Sequence, residues 1–404
     1  MSRFLTKSRF KLACECETKL FYTRKKDEYA DQSIDDPFLI ELAKGGYQVG
    51  ELAKYYFTEN AADITVENRK DEEALAETNE RISNGERFIA EAAVKFENLF
   101  IRVDIFEIDR SSKIINLFEV KSKSYSFSDD FYSRKRGSEE IAGINTKWKS
   151  YLLDVAFQKY VIQKAFPSFT VNTFLTLVNK DAVTSVDGLN QFFKVKGTSG
   201  NYQIIVSEKV SKEKLGKQIL INVPVDEHIN FIWSKPVESV IFKDYSFEDY
   251  IKVLAKKYEN DEKIGTPVST ACRKCQFYTK SENGNKGLKS GIKECWTEKL
   301  KISEQQFNEP KITELSYIHA GKLQENLIEK NKYFIKDIEE VDIFDKVDKE
   351  KRGLSYRERR WKQIEKVQKN DSSFYLDKEG LKKEMESWKY PLHFIDFETA
   401  SPAI

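Results

Sequence analysis

The chain has 404 residues, enough at about 150 per domain for two or three domains that each bury a core. Apolar residues make up 40% and charged residues 33%, and no apolar run reaches the ~18 residues of a membrane-spanning helix, while the leading MSRFLTKSRF lacks the apolar segment and cleavage site of a secretory leader, so a membrane partner is excluded and a cytoplasmic location is expected. The 67 Lys and Arg balance 66 Asp and Glu, which leaves no global attraction to nucleic acid and requires any such surface to be local.

In chain order, residues 3–22 read as helical, with Ser8 as the N-cap of "SRFKLACECETKLFY". A second helix is predicted over about 38–57, "FLIELAKGGYQVGELAKYYF". Three strand-like runs follow, "RFIAEAAVKFE", "LFIRVDIFEID" and "IINLFEVKSKS", the last two joined by a short polar turn, which predicts a meander. From Trp148 to Phe166 the spacing is helical, and "FTVNTFLTLVNK" reads as another strand. This order predicts an α/β core. Residues 196–216 are polar and turn-rich, 226–264 turn helical toward their end, and 300–390 are charged and mostly helical. The basic triplets Arg24-Lys25-Lys26 and Arg134-Lys135-Arg136 read as solvated surface.

The run "NLFEVKSKSY" carries the chemistry. Strand alternation puts Leu117, Glu119 and Lys121 on one face and Phe118 and Val120 on the other. On the preceding strand Asp104 stands between Val103 and Ile105, an acid in apolar sequence, and pairing of the strands brings the three charged groups together. Two neighbouring carboxylates repel unless a positive charge lies between them, which a hard divalent cation such as Mg2+ or Mn2+ supplies. Such a cation polarises a phosphodiester and acidifies a bound water, and the lysine orients that water or stabilises the growing charge. On the following helix Asp154 and Gln158 lie one turn apart beside an apolar stripe of Leu153, Phe157 and Val161, a polar pair suited to holding the attacking water or a DNA backbone.

The pattern of Asp104, then Glu119-Val120-Lys121 on adjacent strands, resembles the PD-(D/E)XK nuclease core, and with Gln158 on the next helix it is similar to the RecB-like branch of that superfamily. The resemblance implies a restriction-endonuclease-like mixed sheet flanked by helices, with Asp104, Glu119, Lys121 and Gln158 as catalytic residues. That branch usually has a Tyr four residues after the Gln; here Ile162 occupies the position and Tyr160 is the nearby tyrosine. It also often carries a His metal ligand in a Gly-x-x-x-His helix, where "GYQVGEL" has Gly50. Glu91, on the strand before Asp104, is the preferred extra ligand beside Asp104 and Glu119, with Glu51 as the alternative.

Five cysteines occur. The odd count and the cytoplasmic setting disfavour a disulfide framework. Cys272-x2-Cys275 has the bite of a chelate, and with Cys295 and one of Cys14 or Cys16 four thiolates would close a metal site. One N-terminal cysteine and three after the nuclease core resemble the iron-sulfur staple of AddB and of CRISPR-associated RecB-like exonucleases. The segment Ser8-Arg9-Phe10 with Cys16-x2-Lys19-Leu20-Phe21 is similar to the start of that family and selects Cys16, leaving Cys14 as a small helix residue. The resemblance implies a [4Fe-4S] cluster on Cys16, Cys272, Cys275 and Cys295, with Zn2+ as the alternative, in a structural role.

Near the end, "YPLHFIDFETASPAI" leads apolar residues into Asp396 and Glu398, two acids at strand spacing. This resembles the first motif of a DnaQ-like exonuclease, whose second site would be incomplete here, so a truncated domain is expected. Together the motifs resemble an uncharacterised bacterial family that joins a RecB-like nuclease domain to a DnaQ-like domain. The implied organisation is a nuclease domain over 1–300, a helical linker or small DNA-contacting element over 301–385, and the start of a DnaQ-like domain over 386–404. The expected function is a metal-dependent deoxyribonuclease, an exonuclease acting on single-stranded DNA or free ends in repair, recombination or defence. The alternative is a catalytically weak nuclease-fold module that binds DNA or serves as a scaffold.

Overall fold

The computed structural model describes residues 3–33, 36–197, 202–208, 210–279, 287–316, 321–344, 353–397 and 403–404. These fall into two compact units, one built from residues up to 26, 31–266 and the last few residues, the other from 27–30 and 267–400. The division lies between Thr266 and Pro267, so the expected first domain to residue 300 spans parts of both.

The first unit opens with helices α1 (Lys7–Glu15), α2 (Glu17–Tyr22), α3 (Pro37–Lys54), α4 (Ala61–Ile64) and α5 (Asp71–Ser83). Strands β1 (Phe88–Phe96), β2 (Leu99–Asp109) and β3 (Ile114–Tyr125) form the expected meander. A two-stranded ribbon of β4 (Tyr132–Arg134) and β5 (Ile141–Ile144) leads to α6 (Thr146–Ala165) and β6 (Thr170–Asn179). A second ribbon pairs β7 (Phe193–Lys196) with β8 (Gln203–Val206), and the unit ends with β9 (Leu220–Pro224), α7 (Asp226–Trp233) and α8 (Phe247–Glu259).

The main sheet has five strands in the order β1-β2-β3-β6-β9. It is mixed: β1, β2 and β3 are antiparallel, β6 returns parallel to β3 after the α6 crossover, and β9 is antiparallel to β6. Each face carries its own core. Phe106, Ile115, Leu117, Leu175 and Leu177 pack with Phe10 of α1, Phe157 of α6 and Leu254 of α8, whereas Ile105, Phe118 and Leu220 pack with Val49 and Leu52 of α3 and with Phe193. The α/β class and the mixed, helix-flanked sheet are as the sequence predicts.

Local departures have local causes. The first helix starts at Lys7 after an extended Thr6, and Ser8 lies within its first turn with its hydroxyl 3.2 Å from that of Thr6, so Ser8 is not the N-cap. The helix also breaks at Cys16, whose backbone is extended (φ −169°, ψ 118°). Helix α3 is capped by the Asp36 carboxylate, which accepts from the N–H groups of Phe38 and Leu39. The 196–216 excursion contains β8, and β9 at the sheet edge is an element the sequence reading did not foresee.

The second unit contains a 3-10 turn over Thr270–Lys274, helices α9 (Gly291–Leu300), α10 (Glu304–Phe307), α11 (Gly321–Glu329), α12 (Glu340–Ile343), α13 (Tyr356–Gln368) and α14 (Lys378–Glu386). The expected helical character over 301–385 is present, and Ile312, Leu315, Leu327, Ile335, Ile338, Ile343 and Ile364 gather into its core. The strand expected at 394–397 is not formed: these residues have no regular structure, and Phe394, Ile395 and Phe397 are strongly exposed. A lone extended segment without a ladder partner has nothing to satisfy its backbone or cover its side chains. No helix among the described residues is long and apolar enough to cross a membrane.

Candidate functional site

Parity along β3 sends Glu119 and Lys121 to the face that Leu117 shares with α1 and α6. Asp104 has the parity of Phe106 and Ile108 on β2, and so meets them there. The ladder between β2 and β3 runs from Asp109↔Ile114 to Ile105↔Phe118. Beyond it, the Asp104 Oδ2 atom accepts from the Val120 N–H at 2.7 Å, a side chain replacing a backbone rung.

Glu119 is the hub. It is fully buried, it accepts from Gln158 Nε2 at 2.7 Å, and Lys121 pairs with it through Oε1. A further cation was not foreseen from the sequence: the Lys7 ammonium on α1 lies 3.1 Å from both Glu119 oxygens and 3.4 Å from Asp104 Oδ1. One turn on, Lys11 reaches Asp154 Oδ2 at 3.5 Å, which is also 3.8 Å from Lys121. The sequence offers only an i, i+4 spacing of Lys7 and Lys11, which sets them on one side of α1 without saying what that side faces.

The carboxyls respond unequally. Burial opposes ionisation of Glu119, but the Lys121 and Lys7 ammonium groups and the Gln158 amide outweigh it and hold Glu119 far below the usual carboxylate range. Burial and the Glu119 charge push Asp104 and Asp154 up. Burial works against the charge of Lys7 and of Lys121 too, and the neighbouring acids overcome it, raising both above the ordinary lysine value. Negative charge thus concentrates on Glu119.

Glu91 stands on β1 opposite Asp104, between the paired positions Ala90↔Ile105 and Ala92↔Val103. Its backbone is left-handed at φ +56°, uncommon for a residue with a side chain. Its carboxylate is 3.7 Å from Arg102, and burial with the nearby Asp104 charge pushes it up. The alternative Glu51 is engaged by Lys54 of the same helix at 2.8 Å. A Cβ added at Gly50 would meet nothing within 4 Å.

Two buried oxygens on α6, Asp154 Oδ1 and Gln158 Oε1, have no hydrogen-bond partner. Asp104, Glu119, Asp154 and Gln158 all offer oxygen atoms, the donor type that hard divalent cations take. Among the described residues no three His, Cys, Asp or Glu side chains are already gathered tightly enough to hold a metal ion; the acids converge on Lys7 instead. Tyr160 is engaged elsewhere, its hydroxyl raised by burial and Glu248, and the buried Lys159 of the same helix is bound to Asp226 at 2.5 Å.

Cys14 is a half-buried neighbour of Phe10, Leu153 and Tyr250 around a cavity, and desolvation pushes its thiol up, as befits a packing residue. Cys16 lies at the α1–α2 break, where the following Thr18 is tied to Ile264 and Thr266 by hydrogen bonds of 2.6 and 2.9 Å. Cys272, Cys275 and Cys295 belong to the second unit, the first two in and after the 3-10 turn and the third on α9, and the Ile292 N–H bonds Phe277 O at 2.9 Å to join these segments. Asp396 is exposed and accepts from the Phe397 N–H at 2.9 Å; Glu398 lies outside the described residues. In the basic triplets, Lys25 pairs with Asp261, Arg134 with Asp130 and Glu139, and Lys135 with Glu140, so local acids already neutralise much of their charge.

No family model matches the chain, and no curated protein matches it.

Proposed function

We propose that the chain is a metal-dependent nuclease of the restriction-endonuclease-like kind that hydrolyses phosphodiester bonds in DNA in the cytoplasm. The observation that carries this reading is the convergence of Asp104, Glu119, Lys121 and Gln158, from two strands and the crossover helix, on one buried carboxylate. Asp104 and Glu119, with Glu91 beside them, would hold Mg2+ or Mn2+, which when bound supplies Lewis-acid polarisation of the phosphate and a more acidic water. Lys121 stabilises charge growing on the phosphate, and Gln158 keeps the Glu119 carboxylate oriented through Nε2 while offering Oε1 to an incoming proton donor such as water. Cys16, Cys272, Cys275 and Cys295 would hold a [4Fe-4S] cluster or Zn2+ in a structural role, and Asp396 and Glu398 belong to a separate DnaQ-like segment.

The test is cleavage of end-labelled single- and double-stranded DNA with Mg2+ or Mn2+, comparing wild type with Lys121→Ala. The variant removes a cation that is only partly buried (22% side-chain exposure) and no core side chain, so cleavage falls at least about a hundredfold while the fold is kept. Equal cleavage by both proteins would rule out Lys121 in this role. The second reading, a DNA-binding or scaffold module without hydrolysis, draws on Lys7 already neutralising the acid pair; DNA retention without cleavage in any metal would select it.

A further inference from the structure

We propose that Lys7 is a displaceable internal counter-ion: its ammonium occupies the place between Asp104 and Glu119 that a divalent cation would take, and cation entry requires the side chain to swing out. This rests on reading the acid cluster as a cation site. The Lys7 Nζ atom is equidistant, at 3.1 Å, from the two Glu119 oxygens and 3.4 Å from Asp104 Oδ1. A divalent cation held by those oxygens would take the lone pairs that now face the ammonium and would set like charge beside it. The two cations therefore exclude one another.

The surroundings suit an exchange in which one side chain moves and the rest stays. Lys7 is in the first turn of α1 and its side chain keeps 25% exposure, so a flexible stem connects the ammonium to solvent. Its helix is fixed independently, by Phe10 stacked on Phe157 at 4.8 Å and edge-on to Phe247 at 5.5 Å. The acids are fixed too: the Val120 N–H holds Asp104 at 2.7 Å, and Gln158 holds Glu119 at 2.7 Å. Nearby, the unpartnered Asp154 Oδ1 and Gln158 Oε1 atoms receive no hydrogen bond while Lys7 is in place, and a hydrated cation would bring donors to them. Lys7 thus balances the charge of the acid cluster without consuming all of its acceptors.

The experiment uses the full chain with Mn2+ alone, free of DNA, in two measurements. Titration calorimetry compares wild type, Lys7→Met, Lys7→Arg and Lys252→Met, each checked for native circular dichroism. The Lys7→Met change removes the competitor and tightens Mn2+ binding by about tenfold or more. Lys7→Arg, whose guanidinium can grip a carboxylate bidentately, weakens binding, and Lys252→Met, at an exposed lysine paired with Glu248 on α8, changes it less than about threefold. In parallel, acylation of the Lys7 amine in wild type is followed by mass spectrometry, and its rate rises along the same Mn2+ curve as binding. If Mn2+ binds wild type but Lys7→Met binds no more tightly, or Lys7 acylation stays flat, the exchange is overturned while the cation site stands. If wild type binds no Mn2+, the cation reading and the exchange fail together.

Discussion

Replacing Glu119 by Gln tests whether the site is an ionic network organised on one buried carboxylate. Gln keeps the side chain's length and can still accept from Gln158 Nε2, which lies 2.7 Å from Glu119, so the change is chiefly one of charge. A single ion pair at the 3.1 Å separation of Lys7 and Glu119 is worth about 5 kcal/mol at an effective dielectric near 20. Most of that is offset, because the substitution also relieves repulsion against Asp104 and Asp154 and removes the desolvation of a buried carboxylate. Losing one partner of a buried pair typically costs about 3–5 kcal/mol. Here Lys7 and Lys121 retain other acids and are 25% and 22% exposed, so the expected loss is about 2–3 kcal/mol. Because the chain has two compact units, the assay is hydrogen exchange resolved by peptide rather than a global melt. In EDTA at neutral pH the slowest amides of β3 and β6, paired through Glu119↔Leu175, should exchange roughly 30- to 150-fold faster. A change under about threefold, or one spread equally over both units, would refute the hub.

Two further outcomes concern the second unit. Asp342 has a side chain only 2% exposed that meets Lys330 at 2.7 Å and Lys332 at 2.6 Å, and it also accepts from the Glu339 N–H at 3.0 Å; burial alone would raise its carboxyl, but these donors bring it down to about 2. A depressed carboxyl contributes stability that is present above its ordinary value of 3.8 and lost as pH falls toward the folded value. Asp342→Asn should therefore cost about 1–2 kcal/mol at pH 7, after discounting for solvent screening around the two lysines, with the gap closing near pH 2; peptide-resolved exchange of α11 and α12 measures it, and a gap independent of pH would contradict the assignment. For the cysteines, protein purified without oxygen should be brown and carry about four iron atoms per chain, with Cys275→Ser losing most of them. Zinc in place of iron selects the rival site, and neither metal would exclude both.

The sheet was legible because periodicity and parity are local properties of sequence. The alternation around Glu119 assigned Leu117 and Phe118 to opposite faces, where they now line different cores, and the same parity placed Glu119 and Lys121 together. The α6 helix offered Asp154 and Gln158 at one-turn spacing, and both are turned toward Glu119 and Lys121. Lys7 and Lys11 were not legible as members of the site, since their role depends on α1 lying across a sheet face formed some hundred residues later. A lysine on a helix ordinarily signals solvent; the packing of Phe10 against Phe157 is what turns these two inward. Edge strand β9 and the two ribbons were missed for a related reason: short strands of three to five residues carry too little periodicity to stand apart from turns. The Phe394–Phe397 run shows the converse, strand-like residues with no neighbouring strand to pair with among the described residues.

The irregularities of the sheet concentrate where the acids are. Across β1, β2 and β3 the residues Glu91, Asp104 and Glu119 lie in one row, and it is at this row that Glu91 turns left-handed and that the β2–β3 ladder stops. A side chain at φ +56° costs about 1–2 kcal/mol relative to ordinary strand geometry, and the missing rung is restored only through the Asp104 carboxylate. An unbroken sheet of apolar residues would avoid both costs. Each irregularity instead alters the placement of a carboxylate: the turn at Glu91 sets its direction beside Asp104, and the bond to Val120 N fixes Asp104 against Glu119. Strain that falls on one row of three acids, with a fully buried Glu119 at its end, is the distribution expected when a sheet is bent to hold charge rather than to pack. The same row explains why Lys7 stands among the acids. Once the backbone has fixed these acids side by side, positive charge must stand among them, and the first turn of α1 provides it.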